Sequence, residues 1–116
     1  FWIFLKKGFI VMPIELTEEN YDSEVVQSSL PVIIDFYAIW CGPCKITKPI
    51  FNDLAIEYAG KVKFLTLNID QHRNLAIKFG ITSIPTFILI KDNQVLGKVI
   101  GGKSHDDLKS FIESYL

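Results

Sequence analysis

Hydrophobic positions along this chain switch between two periods, one suited to helices and one to buried strands. Tyr21, Val25 and Val26 recur at helical spacing between Glu18 and Ser28, with Thr17 placed to cap and Ser28-Ser29 before Pro31 to stop. A first helix is expected there. Val32 to Ala38, VIIDFYA, is an almost unbroken apolar run of β-branched and aromatic residues, the pattern of a strand covered on both faces. Ile46, Ile50, Leu54 and Tyr58 then recur every four residues as far as Gly60, predicting a second helix with Pro49 inside it.

Val62 to Ile69 predicts another strand, and Gln71 to Phe79 a short helix ending at Gly80. Strand, helix and strand in this order imply a parallel pair. Thr86 to Ile90 and Val95 to Ile100 are strand-like and separated only by Lys91, Asp92, Asn93 and Gln94, so an antiparallel hairpin follows. Ser104 with Asp107 three residues on forms a variant capping box, and Leu108, Phe111, Ile112 and Tyr115 give a final helix its apolar face. The predicted class is α/β.

Composition narrows the picture without naming a chemistry. The chain has 116 residues, 49% of them hydrophobic, and a formal charge of −1, which suits one globular domain with its own core. Lys and Arg are scattered and nearly balanced by acids, which argues against nucleic acid as a partner. Residues 1–11, FWIFLKKGFIV, stand apart as an apolar extension to a domain over 12–116. This segment is too short to span a bilayer and has its charges in the wrong order for a signal peptide. Lys6, Lys7 and Gly8 require purine-rich codons shortly before Met12, so a translated leader is expected, with the remnant of a membrane anchor as the alternative.

The chemistry lies in Trp40, Cys41, Gly42, Pro43 and Cys44, a run that contains the only cysteines. Two intervening residues close too small a loop for a structural disulfide of much entropic value, whereas that spacing suits a bond made and broken in use. A structural zinc site needs further ligands, and His72 and His105 have no ligand spacing; neither metal nor bound cofactor is expected. The pair falls between a strand and a helix. Free N–H groups and the positive helix end there favour a thiolate at Cys41, leaving Cys44 one turn on as the more shielded, resolving thiol. Pro43 is tolerated in a first helical turn, and Gly42 removes bulk beside the nucleophile.

Asp35 interrupts the apolar strand six residues before Cys41, with no basic neighbour in sequence. A buried carboxyl of this kind is inclined to hold its proton and marks functional sites. Beneath Cys44 it would serve as proton acceptor. A structural aspartate bonded to backbone is the alternative.

The segments VIIDFYAIWCGPCK, KPIF, LNID, FGITSIPTFILIKDN and the glycines Gly101 and Gly102 together resemble the thioredoxin family, from about residue 15 to the C-terminus. The resemblance implies a thioredoxin fold, a central mixed β-sheet of up to five strands flanked by helices on both faces, and protein disulfide reduction. It implies Cys41 as nucleophile, Cys44 as resolving thiol, Asp35 as buried acid and Pro85 as a cis-proline facing the disulfide. Trp40, Gly42, Pro43, Ile84 and Gly101 would line or support the substrate groove. Disulfide-containing proteins are the implied substrates, thioredoxin reductase the electron donor, and a cytoplasmic monomer the expected form. A membrane-anchored or periplasmic oxidoreductase, and a binding subunit independent of its thiols, are the other readings. Tyr37, Ile39 and Thr66 depart from the family pattern. Thr66 stands where well-known members place a lysine near the buried acid, so the charged form of Asp35 is expected to be less stabilised.

Overall fold

The computed structural model describes residues 12–116, and the expectation of an extension over 1–11 lies outside the described residues. Five strands form one sheet: β1 (Ile14–Glu15), β2 (Val32–Tyr37), β3 (Lys63–Asn68), β4 (Thr86–Lys91) and β5 (Gln94–Ile100), in the order β1-β3-β2-β4-β5. The β1–β3 and β2–β3 pairs are parallel, and the β2–β4 and β4–β5 pairs antiparallel. This is the predicted mixed sheet.

Helices α1 (Gly42–Glu57) and α3 (His105–Glu113) cover one face. There Ile33, Phe51, Leu54, Phe64, Phe87, Leu108 and Ile112 form a continuous buried cluster. A π-helical turn over Asp22–Val26 and α2 (Arg73–Lys78) cover the other face, burying Val25, Ile34, Phe36, Leu65, Leu75 and Ile88. Ile33 and Ile34 therefore enter opposite cores, as strand alternation requires. Because both faces are covered, β2 reads as an apolar run broken only by Asp35. Asp35 shares the face of Ile33 and so points toward α1.

Several boundaries differ from expectation. The first helix does not run from Glu18 to Ser28. Thr17 N–H donates to Asn20 Oδ1 at 2.7 Å and Asn20 N–H to Thr17 Oγ1 at 3.1 Å, closing a turn before the wide one-turn helix begins. Gln27 N–H reaches back five residues to the Asp22 carbonyl at 2.9 Å. The second helix ends at Glu57 rather than near Gly60, because the Lys61 and Val62 N–H groups bond the Tyr58 carbonyl at 2.8 and 3.0 Å. Helix α2 runs from Arg73, two residues later than expected, to Lys78, and the chain leaves it through Gly80 as predicted. Gly80 has φ +66°, and the Ile81 N–H bonds Ala76 O while Gly80 N–H bonds Ile77 O. That pairing is the Schellman arrangement, and its left-handed residue is the reason for glycine. The hairpin is tighter than its apolar runs suggested: Lys91 pairs with Gln94, leaving a turn of Asp92 and Asn93 with φ 52° and 61°. Both side chains tolerate that conformation, which matches the twist of the strands.

Candidate active site

Strand β2 delivers the cysteine motif and α1 holds it. Cys41 is the N-cap of α1, and its Sγ accepts the Cys44 N–H at 3.2 Å. Pro43 occupies the first turn, where its missing N–H forfeits no helical bond. The two sulfurs are bonded to each other, with the Cα atoms 5.3 Å apart. Thr47 Oγ1 donates to the Pro43 and Cys44 carbonyls at 3.1 and 3.2 Å, tying the reactive turn to the next one.

The cysteines do not differ in overall burial as the sequence led one to expect. Cys41 is 5% exposed and Cys44 4%. What separates them is the direction in which each is open. The Cys41 Sγ lies 3.9 Å from the Ile84 carbonyl, beside the cis bond between Ile84 and Pro85. Gly101, with φ +96°, directs its N–H at the Pro85 carbonyl at 2.8 Å. A Cβ on Gly102 would lie 3.8 Å from that of Pro43, in ordinary contact with the first turn of α1. A Cβ on Gly42 would meet nothing within 4 Å, so the surface beside Cys41 is open. Trp40 is 66% exposed and gives this surface an apolar edge, whereas Ile39, 71% exposed, lies on the side of Cys44. Trp40 Nε1 donates to Asp70 Oδ2 at 2.8 Å, which fixes the indole. Trp40, Pro43, Ile84, Pro85 and Gly101 thus gather around Cys41, with Pro85 itself buried.

Cys44 instead opens toward Asp35. Both line a cavity of about 400 Å³ with Glu15, Tyr37, Lys48 and Thr66 among its walls. Asp35 is 3% exposed, and its Oδ1 has no hydrogen-bond partner among the described residues. Burial first, then the negative charge of Glu15, push its pKa from 3.8 up to about 7, while Lys48 pulls the other way. For Oδ1, the alternative of a carboxyl satisfied by backbone does not hold among the described residues.

Two of these groups escaped the sequence reading. Lys48 follows Cys44 by four residues and therefore shares its helix face, a spacing that carried the signal. It brings to Asp35 a cation that lies thirteen residues away in sequence and not at the Thr66 position. Glu15 lies on a strand of two residues, too short for alternation to reveal. Among the described residues no group of three or more His, Cys, Asp or Glu side chains is arranged to hold a metal ion. Nor is any helix there long and apolar enough to cross a membrane.

The thioredoxin family model matches residues 12–114. The chain belongs to the thioredoxin family. It is 39% identical over 103 residues to thioredoxin of Haemophilus influenzae, covering 89% of this chain and 96% of that one. Thioredoxin of Synechocystis sp. is 38% identical over 88% of this chain and 95% of its own. The chloroplastic M-type thioredoxin of Pisum sativum is 42% identical over 87% of this chain and 59% of its own. The five-stranded sheet with helices on both faces is the thioredoxin domain. With its bonded Cys41–Cys44 pair, the chain is a thiol–disulfide oxidoreductase of the protein-disulfide-reductase kind.

Proposed function

We propose that Cys41 is the attacking sulfur, Cys44 the resolving sulfur and Asp35 the acceptor of the Cys44 proton. The observation that supports this division is the opposite opening of the two cysteines. Cys41 caps α1 beside Ile84 and Pro85, whereas Cys44 shares its cavity with Asp35. In the reduced protein the Cys44 N–H and the positive end of α1 favour a Cys41 thiolate over the thiol.

That thiolate attacks one sulfur of a substrate disulfide, forming a mixed disulfide and releasing the other sulfur as thiolate. Cys44 passes its proton to Asp35 and attacks Cys41 Sγ; the mixed disulfide breaks and the second substrate sulfur leaves. Two electrons pass to the substrate and the Cys41–Cys44 bond forms. Thioredoxin reductase restores the dithiol, with no bound cofactor. The Trp40, Gly42, Pro43, Ile84, Pro85 and Gly101 surface receives an extended segment of the substrate. The protein works as a cytoplasmic monomer.

Insulin reduction driven by a thioredoxin reductase tests the reading. The wild type is expected to reduce insulin, Cys41→Ser and Cys44→Ser to abolish turnover, and Asp35→Asn to slow it by roughly tenfold or more at pH 7. Turnover retained by either serine variant would contradict it.

A further inference from the structure

Three strands set one row of side chains on the α1 face of the sheet. Glu15 of β1 is opposite Thr66 of β3, and Thr66 is opposite Asp35 of β2. Residues in parallel register share a face. The Thr66 hydroxyl donates to Glu15 Oε1 at 3.0 Å, and the Tyr37 hydroxyl donates to Glu15 Oε2 at 3.1 Å. Two hydroxyl donors on one acid, otherwise exposed, orient its two oxygens. The acid forms part of the wall of the cavity that Asp35 and Cys44 also line.

Among the described residues, the charged and titratable groups around Asp35 are Glu15 from β1, Tyr37 from β2, and Lys45 and Lys48 from α1. Where the family resemblance puts a cation on β3, this chain has Thr66, whose single proton goes to a second carboxylate. The sheet side of the cavity consequently presents negative rather than positive charge.

We propose that Glu15 is a positioning residue for disulfide exchange: held by Thr66 and Tyr37, its carboxylate sets the pH range over which Asp35 takes up the Cys44 proton. The inference rests on Asp35 as proton acceptor. An ordinary aspartate is a poor base for a thiol, whose reference pKa is about 8.5. A neighbouring carboxylate raises the proton affinity of Asp35 toward that of its partner, which suits proton transfer near neutral pH. Lys48 on the opposite wall acts in the other sense.

The test titrates the Asp35 carboxyl by NMR in wild type, Glu15→Gln and Lys48→Met, in both redox forms, beside the pH profile of mixed-disulfide release. The glutamine removes the charge and keeps one acceptor oxygen, while its amide NH2 can donate to whichever hydroxyl, Thr66 or Tyr37, turns to accept. Its Asp35 midpoint is expected to fall by roughly half a pH unit. The release profile should fall with it, and Lys48→Met should raise both. An Asp35 midpoint unmoved in Glu15→Gln overturns the inference, even if the melting temperature changes, since a purely structural role would show only there. A midpoint that falls while the release profile stays fixed, and stays fixed in Asp35→Asn too, overturns the proton-acceptor role of Asp35 and leaves the coupling of the two carboxyls standing.

Discussion

Asp35 is a buried carboxyl whose setting costs the fold stability once it ionises. Its side chain is buried with an unpartnered oxygen, and its pKa stands at about 7 against 3.8 in the free carboxyl. A raised carboxyl pKa means that the folded chain binds more protons than the unfolded chain between those values. Stability therefore falls as pH rises through that window and levels off above it. Taking 3.8 and about 7 as the two values, the penalty reaches at most about 4 kcal/mol once Asp35 is fully ionised. Asp35→Asn is expected to be the more stable protein at pH 8 and to lose that advantage at pH 3, where both side chains are neutral. Urea unfolding at the two pH values measures this; equal stability at pH 8 would show that the carboxyl is not held in an unfavourable setting.

Among the elements, α1 has the most work: its first turn carries the cysteines, its next turn brings Lys48 to the cavity, and its apolar face carries Phe51 and Leu54 into the core. Packing partners anchor it. Tyr58 donates to Glu113 Oε2 of α3 at 2.5 Å, joining the ends of the two helices. Ser104 caps α3 by accepting the Asp107 N–H on its Oγ at 3.1 Å, away from the redox pair. Ser104→Ala is expected to destabilise the fold by about 1 kcal/mol and to leave insulin reduction intact. Unchanged urea stability would show that the cap is dispensable.

Periodicity located every element longer than five residues, because long runs of buried side chains leave a repeating mark. It did not foresee β1, whose Ile14–Glu15 pair is held by the neighbouring strand. Nor did it foresee that the first helix would shrink to a π-helical turn closed by the Gln27 N–H on the Asp22 carbonyl. Apolar spacing also blurred the hairpin, since Lys91 and Gln94 belong to the ladder although they are polar.

At the scale of the molecule, the site was legible where one segment supplies it. Cys41, Cys44 and Asp35 lie within ten residues, and their order alone indicated a strand leading into a helix. The cavity is built from β1, β2, β3 and α1 together, so Glu15 and the Thr66 hydroxyl acquired meaning only once the strands were in register. Ile84, Pro85 and Gly101 came from family resemblance rather than from local pattern, because the turn that places them beside Cys41 depends on tertiary contacts. The whole arrangement gives the two cysteines unequal surroundings despite nearly equal burial. The most direct measurement is the trapping of mixed disulfides with insulin by the two single-cysteine variants, read on non-reducing gels and by intact mass. Cys44→Ser is expected to accumulate a covalent adduct through Cys41, while Cys41→Ser accumulates none. Equal trapping by both variants, or trapping by Cys41→Ser alone, would contradict the assignment of Cys41 as the attacking sulfur.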